Sequence, residues 1–212
     1  MYNAQACQDI FVDKILNKAE GFFVDIGAGT GGLPTHTAGF YSNTYYFETF
    51  KNWKGIAIDY DAEWWTNVNK ARSAKCLCVD LLEVSINKVL DEWNCPTEID
   101  YLSIDVDDAQ MKVFNDFDFD KYKFKVLTLE HNLFQSDPNC GQNRTEEHRK
   151  NIIKEHAHYR KTLSKHGYKL LWGNVSLEGY GPVEDWFVDE ETFEKNKDIQ
   201  KEYANCLETM NI

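Results

Sequence analysis

Acidic side chains and one histidine stand where two apolar runs of the sequence end. Asp105 and Asp107 lie in IDYLSIDVDD, and Glu130 and His131 come near the end of KFKVLTLEHN. Carboxylates and imidazoles can take protons from reacting hydroxyls, and the ordinary pKa of histidine lies near neutrality. The sequence therefore offers His131, Asp105 and Asp107 as candidate catalytic residues, with Glu130 as a further candidate base. A histidine hydrogen-bonded to backbone is an equally good interpretation of His131.

Oxygen ligands at the same two places indicate a second chemistry. Asp105, Glu130 and Asn132 would bring three oxygen atoms together if the two runs form adjacent strands, and Mg²⁺ and Ca²⁺ prefer oxygen ligands. Such a metal would bind an acceptor oxygen and lower its pKa. The alternative is that these side chains orient a cofactor amine and the nearby loops.

A glycine-rich segment follows an early apolar run. Phe22–Ile26 predicts a buried strand, and Gly27, Gly29 and Gly32 complete a G-x-G-x-x-G pattern. Such a loop makes room for a cofactor at the carboxyl end of a first strand. The pattern alone admits a dinucleotide, and a turn between two buried elements is the simplest alternative.

Two residues near this loop argue against a phosphate-bearing ligand. Asp25 stands two residues before the first glycine, where its charge would repel a pyrophosphate. Pro34 interrupts the helix that would otherwise offer its N-terminus to a phosphate. A ligand with positive charge and no phosphate suits this place better. S-adenosylmethionine, which carries a sulfonium and an ammonium group, is such a ligand.

Acidic residues also end the second and third predicted strands. Asp59 lies near the end of GIAIDYD, and its carboxylate could accept both ribose hydroxyls of an adenosyl group. A helix cap is the alternative role for Asp59, because a helical pattern follows it directly. Asp80 follows the apolar part of AKCLCVDLLE, where a carboxylate can accept the exocyclic amine of adenine.

The order of the predicted elements indicates the fold class. Strands alternate with helices through most of the chain, which implies a mainly parallel sheet with helices on both faces. The last two strand patterns, GYKLLWGNV and PVEDWFVDEETF, have no helix between them and predict an antiparallel C-terminal edge. We therefore predict an α/β, Rossmann-like class I methyltransferase sandwich with a seven-stranded sheet. One domain over 1–212 is expected, with a helix at 3–19, a core at 20–193 and a polar tail at 194–212.

Composition narrows the partners and the compartment. The 212 residues carry a formal net charge of -12, so a broad basic face for nucleic acid is not expected. The sequence has neither a membrane-spanning apolar run nor an export signal, and it predicts a cytoplasmic protein with six free thiols. Four histidines of the helical pattern at 146–166 lack the spacing of a metal motif and are expected on a solvated helix surface: His148, His156, His158 and His166.

Taken together, the motifs resemble the FkbM-like S-adenosylmethionine-dependent methyltransferases. The matching segments are, in order, FVDIGAGTGG, SNTYYFE, NWKGIAIDYD, IDYLSIDVDD, VLTLEHN, HGYKLL and EDWFV. The resemblance implies O-methyl transfer to a hydroxyl of a sugar, glycan or small metabolite. It places the cofactor on Asp25, Gly27, Ala28, Gly29, Asp59 and Asp80, and we add Asp105 and, from the SNT motif, Ser42 and Asn43.

One departure from the family pattern concerns the ribose position. The family usually has glutamate followed by proline where this chain has Asp59 followed by Tyr60. The shorter aspartate side chain leaves the ribose contact open, while Tyr60 could stack on adenine.

Three hypotheses remain open at this point. The first is an S-adenosylmethionine-dependent methyltransferase with a small-molecule or glycan acceptor. The second is a nicotinamide-dependent oxidoreductase that uses Gly27-x-Gly29-x-x-Gly32, and the third is a non-catalytic cofactor-binding module. Neither a nucleic acid nor a membrane is expected as a partner, and a homo-oligomer is compatible with each hypothesis.

Overall fold

The computed structural model of the chain describes residues 2–29, 41–68, 71–177 and 179–197. Its strands are β1 Phe22–Ile26, β2 Lys54–Asp59, β3 Lys75–Cys78, β4 Glu98–Ile104, β5 Lys123–Glu130, β6 Lys169–Leu177 and β7 Gly181–Val188. Its α-helices are α1 Gln8–Leu16, α2 Tyr45–Phe50, α3 Ala62–Val68, α4 Ile86–Glu92, α5 Gln110–Asp116, α6 Glu146–Lys165 and α7 Glu190–Asn196. Short 3-10 turns cover Asp107–Ala109 and Leu133–Ser136.

The seven strands form one sheet in the order β3-β2-β1-β4-β5-β7-β6. Strands β1 to β5 run parallel, and β7 lies antiparallel between β5 and β6. A parallel pair needs a crossover connection, whereas the β6–β7 hairpin needs only a tight turn. The predicted mainly parallel sheet with an antiparallel C-terminal edge is confirmed. Because β1 to β5 are parallel, their carboxyl ends lie along one edge of the sheet.

Successive strand side chains alternate between two apolar cores, one on each face of the sheet. Leu102 and Leu127 belong to the core that α4, α5 and α6 cover. Tyr101 and Val126 belong to the other core, together with residues of α1 and α2. Helices therefore cover both faces, as the sequence predicts.

The apolar pattern predicts that the first helix begins at residue 3, but α1 begins at Gln8. The buried Asp9 carboxylate accepts the backbone N–H groups of Asn3 and Ala4, which holds these residues outside the helix. Cys7 adopts a left-handed conformation directly before the helix. No helix within the described ranges is both long and apolar enough to cross a bilayer.

Candidate active site

A cleft of about 910 Å³ opens at the carboxyl ends of the parallel strands. Crevices at this edge of an α/β sheet are where such folds bind ligands. All of the cofactor residues predicted from the sequence line the cleft: Asp25, Gly27, Ala28, Gly29, Ser42, Asn43, Asp59, Tyr60, Asp80 and Asp105. The structure thus brings together side chains that lie up to 80 positions apart in the sequence, from residue 25 to residue 105.

Two glycines of the loop after β1 are required by contacts within the protein. Gly27 has a φ of +82°, and a Cβ added there would lie 1.6 Å from the backbone oxygen of Asp105. A Cβ on Gly29 would lie 2.5 Å from Asp59 Oδ2. The loop is therefore interlocked with the ends of β2 and β4. The other predicted loop residues, Gly32 and Pro34 among them, lie outside the described residues.

The Asp59 carboxylate lies beneath this loop. Its Oδ2 accepts the N–H of Gly29 at 2.8 Å, and its Oδ1 accepts the N–H of Asp61 at 2.8 Å. Burial raises the pKa of Asp59, although these backbone donors oppose the shift. A carboxylate offers about four acceptor positions, so Asp59 caps its own loop and keeps capacity for a ligand hydroxyl.

Asp25 lies deeper, at the bottom of the cleft, and is only 2% exposed. The Thr44 hydroxyl donates to its Oδ2 at 2.6 Å. Burial raises the pKa of Asp25 to about 6, while the nearby Arg72 cation opposes this shift. Asp25 is therefore mostly ionised at neutral pH, and part of its hydrogen-bonding capacity is used within the protein.

The outer end of the cleft is formed by Tyr60 and Asp80. The Tyr60 ring is among the most exposed aromatic side chains, at 77%. The exposed Asp80 accepts the backbone N–H of Leu82 at 2.8 Å. An exposed ring and a carboxylate in one cleft lining suit a nucleobase with an exocyclic amine.

A pair of carboxyl groups, Asp105 and Glu130, lies at the inner end, where β4 and β5 finish. Their side chains share a hydrogen bond. Burial, followed by repulsion from Asp105, raises the pKa of Glu130 to about 10, so Glu130 holds a proton at neutral pH. Burial also raises the pKa of Asp105, although the hydrogen bond from Glu130 opposes this. Asp107, the third predicted acid here, lines the same end of the cleft and is exposed.

His131 does not face this cleft, which corrects its prediction as a catalytic base. None of its side chain is exposed, and its Nδ1 accepts the backbone N–H of Leu133 at 3.1 Å. Neighbouring residues of an extended segment point to opposite sides, so Glu130 reaches the cleft and His131 points away from it. The alternative interpretation, a histidine bonded to backbone, describes what the structure has.

The predicted metal ligands do not converge. Asp105 and Glu130 line the cleft, but Asn132 does not. Asn132 adopts a left-handed conformation, with φ 49°, at the start of the 3-10 turn that follows β5. The structure therefore does not support these three residues as an assembled metal site.

His156 is buried, whereas its sequence pattern predicts a solvated surface. Its Nε2 lies 2.9 Å from Asp185 Oδ2. Arg160, one helical turn further along α6, donates to both oxygens of Asp185 at 2.7 Å, and the N–H of Asn174 donates to Oδ1 at 2.9 Å. Burial alone would raise the pKa of Asp185, but the donors, first of all Arg160, hold it well below its usual range. The i, i+4 spacing of His156 and Arg160 on one helix face is a signal that could have indicated a shared partner.

His131, His156 and Asp185 could in principle ligate a metal, because their ligand atoms lie within 4.8 Å of one another. The chemistry of the donors argues against it. Both Asp185 oxygens already accept hydrogen bonds. Because Nδ1 of His131 accepts a backbone N–H, the ring proton belongs on Nε2, the atom nearest Asp185. Metal-ligating histidines have the opposite arrangement, since they donate their other ring N–H.

Comparisons with known proteins agree with this architecture. Residues 79–170 match the model of the Methyltransferase FkbM domain, which confirms the predicted resemblance over that segment. A putative O-methyltransferase from Klebsiella pneumoniae superposes with a TM-score of 0.57 at 8% identity, over 87% of this chain and 80% of that protein. An O-methyltransferase from Bacillus cereus in complex with SAH gives a TM-score of 0.53 at 8% identity, over 88% and 80%. No curated protein sequence matches significantly. At these identities the two structures establish the fold.

Proposed function

We propose that this chain, in which the FkbM methyltransferase domain is recognised at residues 79–170, is an S-adenosylmethionine-dependent O-methyltransferase. Its acceptor is a hydroxyl of a sugar, glycan or small metabolite. The observation that carries the proposal is the cleft at the carboxyl edge of the sheet, which gathers every cofactor residue predicted from the sequence.

The charge of the cleft supports this cofactor over a nicotinamide dinucleotide. Its lining includes seven carboxyl-bearing residues and, within the described part of the chain, neither lysine nor arginine: Asp25, Asp59, Asp61, Asp80, Asp105, Asp107 and Glu130. Residues 30–40, which are outside that part, contain no lysine or arginine in the sequence either. The buried Arg72 beneath the cleft offsets only part of this negative charge. A diphosphate would therefore be repelled, whereas a sulfonium and an ammonium group would be attracted.

Three parts of the cleft lining each suit one part of the cofactor. Asp59 retains acceptor capacity for ribose hydroxyls, and the exposed Tyr60 ring with Asp80 suits adenine. Ser42 and Asn43, next to Asp25 in the cleft lining, suit the amino-acid end. These assignments extend the predictions made from the sequence.

Asp105 is the residue that we assign as the general base in place of His131. S-adenosylmethionine, when bound, supplies a methyl group on a good leaving group, so the protein must mainly align the acceptor and take its proton. Burial makes Asp105 a stronger base than an ordinary aspartate. Glu130 keeps its proton and hydrogen-bonds Asp105, which holds the basic carboxylate in place.

Calorimetry with S-adenosylhomocysteine (SAH) and with NAD tests the cofactor. We expect SAH to bind and NAD not to bind, and Asp59→Ala to weaken SAH binding by about tenfold or more, the size of a lost charge-assisted hydrogen bond. Glu92→Ala, which removes an exposed carboxylate of α4 outside the cleft lining, is the matched control and should bind like the wild type. Binding of NAD alone would support the oxidoreductase, and binding of neither would support a non-catalytic module.

A mass-spectrometric screen tests the acceptor. Protein and S-adenosylmethionine are incubated with hydroxyl-bearing glycans and metabolites and with amine analogues of the same compounds. We expect a gain of about 14 mass units, one CH₂, on the hydroxyl compounds, because the cofactor carries the chemistry and the cleft supplies a base. Methylation confined to the amines would contradict the O-methyl assignment.

A further inference from the structure

Arg72 is a buried cation beneath the cleft, and no motif of the sequence singles it out. Its side chain is 1% exposed, and its Nε donates to Glu48 Oε1 at 2.5 Å. Glu48 is also buried, and its Oε2 accepts the backbone N–H of Ala74 at 2.8 Å. These contacts fix the orientation of the Arg72 guanidinium group. Its Nη1 and Nη2 therefore point at fixed partners.

Those partners are two hydroxyls of Ser42–Thr44, the segment that we call the rim. Nη2 of Arg72 donates to Thr44 Oγ1 at 2.8 Å, and Nη1 donates to Ser42 Oγ at 3.3 Å. A hydroxyl has one hydrogen to donate and two lone pairs with which to accept. A guanidinium only donates, so each contact uses an acceptor position of the hydroxyl and leaves its hydrogen for another partner.

The hydrogen of Thr44 goes to Asp25, because its Oγ1 donates to Asp25 Oδ2 at 2.6 Å. Ser42 differs from Thr44. Its Oγ also faces the backbone N–H groups of Thr44 at 3.3 Å and Tyr45 at 3.1 Å, so three donors, Arg72 included, share its two lone pairs. Within residues 2–29, 41–68, 71–177 and 179–197, every hydrogen bond found for this oxygen is one that it accepts. No acceptor for its hydrogen is found within those residues, and Ser42 lines the cleft, so a ligand bound there can accept it.

We propose that Arg72 is a positioning residue that makes the Ser42 hydroxyl a hydrogen-bond donor to the cleft and the Thr44 hydroxyl a donor to Asp25. The ligand group that fits is an α-amino acid: a carboxylate accepts from Ser42, and an ammonium group pairs with Asp25. The identity of that ligand, the amino-acid end of S-adenosylmethionine, rests on the proposed function. The arrangement of the rim does not depend on it.

Several charged or titratable groups act on Asp25 from the surrounding elements. Arg72 supplies the positive charge, and Asp105 at the end of β4 supplies negative charge. Tyr101 in β4 and Cys76 in β3 also interact electrostatically with Asp25. Burial raises the pKa of Asp25 to about 6 even with Arg72 in place. Weakening the contact to Thr44 should raise this pKa further.

The test compares Thr44→Val, which keeps the shape and removes the hydroxyl, with Thr44→Ser, which keeps the hydroxyl. Thr44 is fully buried and is not among the residues that line the cleft, so an effect on binding must pass through Asp25 or the rim. We expect the Kd of SAH to rise about tenfold in Thr44→Val and to stay near the wild-type value in Thr44→Ser. The affinity for methylthioadenosine, which lacks the amino acid, should not change. Equal losses in both variants, or for both ligands, would overturn the proposal.

A second measurement needs no ligand. The carboxyl ¹³C signal of Asp25 is titrated by NMR in the wild type, Thr44→Val, Thr44→Ser and Arg72→Lys. We expect an upward shift of the pKa of Asp25 in Thr44→Val and Arg72→Lys and none in Thr44→Ser. Unshifted titration in all variants would overturn the proposal. If the shifts occur but the wild type does not bind SAH, the proposed function fails while the positioning role of Arg72 stands.

Discussion

The buried Asp185 and the half-buried pair Asp105 and Glu130 lie on neighbouring strands of the same sheet, and they differ in how their charge is balanced. Asp185 in β7 accepts two hydrogen bonds from Arg160, one from a backbone N–H and one from a histidine. Asp105 and Glu130, at the ends of β4 and β5, have no such cation among the residues that the structure describes, and they share a proton instead. The pKa of Asp185 is lowered and the pKa values of the other two are raised.

This difference distinguishes a carboxylate that stabilises the fold, Asp185, from two carboxyl groups that belong to the candidate active site. A buried carboxylate with its own cation and several donors is already satisfied, and it joins α6 to β7. A buried carboxyl pair without a cation is destabilising in isolation, and such groups cluster at functional sites. Asp105 and Glu130 therefore lower the stability of the fold, yet the proposed chemistry requires them.

The largest expected effect tests whether Asp185 stabilises the fold. Asp185→Ala leaves the buried His156 and the one-third-exposed Arg160 without their partner. We expect a loss of about 3 kcal/mol in the free energy of unfolding, the lower end for a broken buried ion pair, because water can still reach Arg160. Urea unfolding measures this loss. The control is Asp120→Ala, at a side chain that is 84% exposed, where the change should stay within about 0.5 kcal/mol. Equal effects of the two substitutions would contradict the scaffold role.

The second effect tests whether Asp105 is the general base. Asp105→Asn removes the proposed base, and we expect kcat to fall by about 100-fold or more, the usual contribution of general-base catalysis. The free energy of unfolding should not fall, because the substitution removes a charge that no cation among the described residues balances. Asp105 is also a predicted cofactor residue, so kcat is measured at saturating S-adenosylmethionine and SAH affinity is measured separately by calorimetry. Urea unfolding provides the third measurement. Unchanged kcat would exclude Asp105 as the base.

A smaller effect concerns the pH dependence of stability. The pKa of Glu130 is raised from its ordinary 4.5 to about 10 in the folded state. The unfolded chain releases this proton above about pH 4.5, so Glu130 should reduce stability progressively as pH rises from 5 toward 10. Glu130→Gln removes this dependence, and its advantage over the wild type should grow by about 1 kcal/mol or more between pH 5 and pH 8. A constant difference across this range would be the contrary result.

Asp185 should show the opposite dependence. Its folded pKa is depressed, so its contribution is present above the pKa of the unfolded aspartate and decreases as pH falls below that value. The two groups therefore predict slopes of opposite sign in one unfolding series. Measuring Asp185→Ala and Glu130→Gln together separates them.

The smallest expected effect is that of chelation. The proton arrangement of His131 disfavours a metal at that histidine, and Asn132 is not among the residues that line the cleft with Asp105 and Glu130. We expect EDTA to leave the thermal unfolding midpoint, the SAH affinity and the activity unchanged. A lower midpoint with EDTA, restored by Zn²⁺, would instead place a metal on His131, His156 and Asp185. A loss of activity alone would place a metal in the cleft.

The sequence predicts the sheet well because its signals there are local. Apolar runs that end in glycine or aspartate mark the carboxyl ends of β1 to β4, and parallel strands bring those ends to one edge. The positions of Asp25, Asp59 and Asp105 at the ends of such runs are therefore enough to predict that they share one cleft. The domain limits and the acceptor remain predictions.

The predictions fail where a residue's role depends on the direction of its side chain or on a partner distant in the sequence, because no local pattern of residues indicates either. His131 is the first residue after β5, where the chain leaves the sheet, and the direction of its ring is set by the Leu133 N–H. His156 is buried only because β7 inserts between β5 and β6 and brings Asp185 beneath α6. The role of Arg72 likewise depends on the folding of Glu48 and Thr44 around it.

The space that a side chain would take at Gly27 is filled by the carbonyl of Asp105. Any other residue at Gly27 would push the loop away from the end of β4, so this position should not tolerate substitution even in variants with a new acceptor. Gly141, in the segment after β5, has open space around it, and a side chain there would meet no such obstacle.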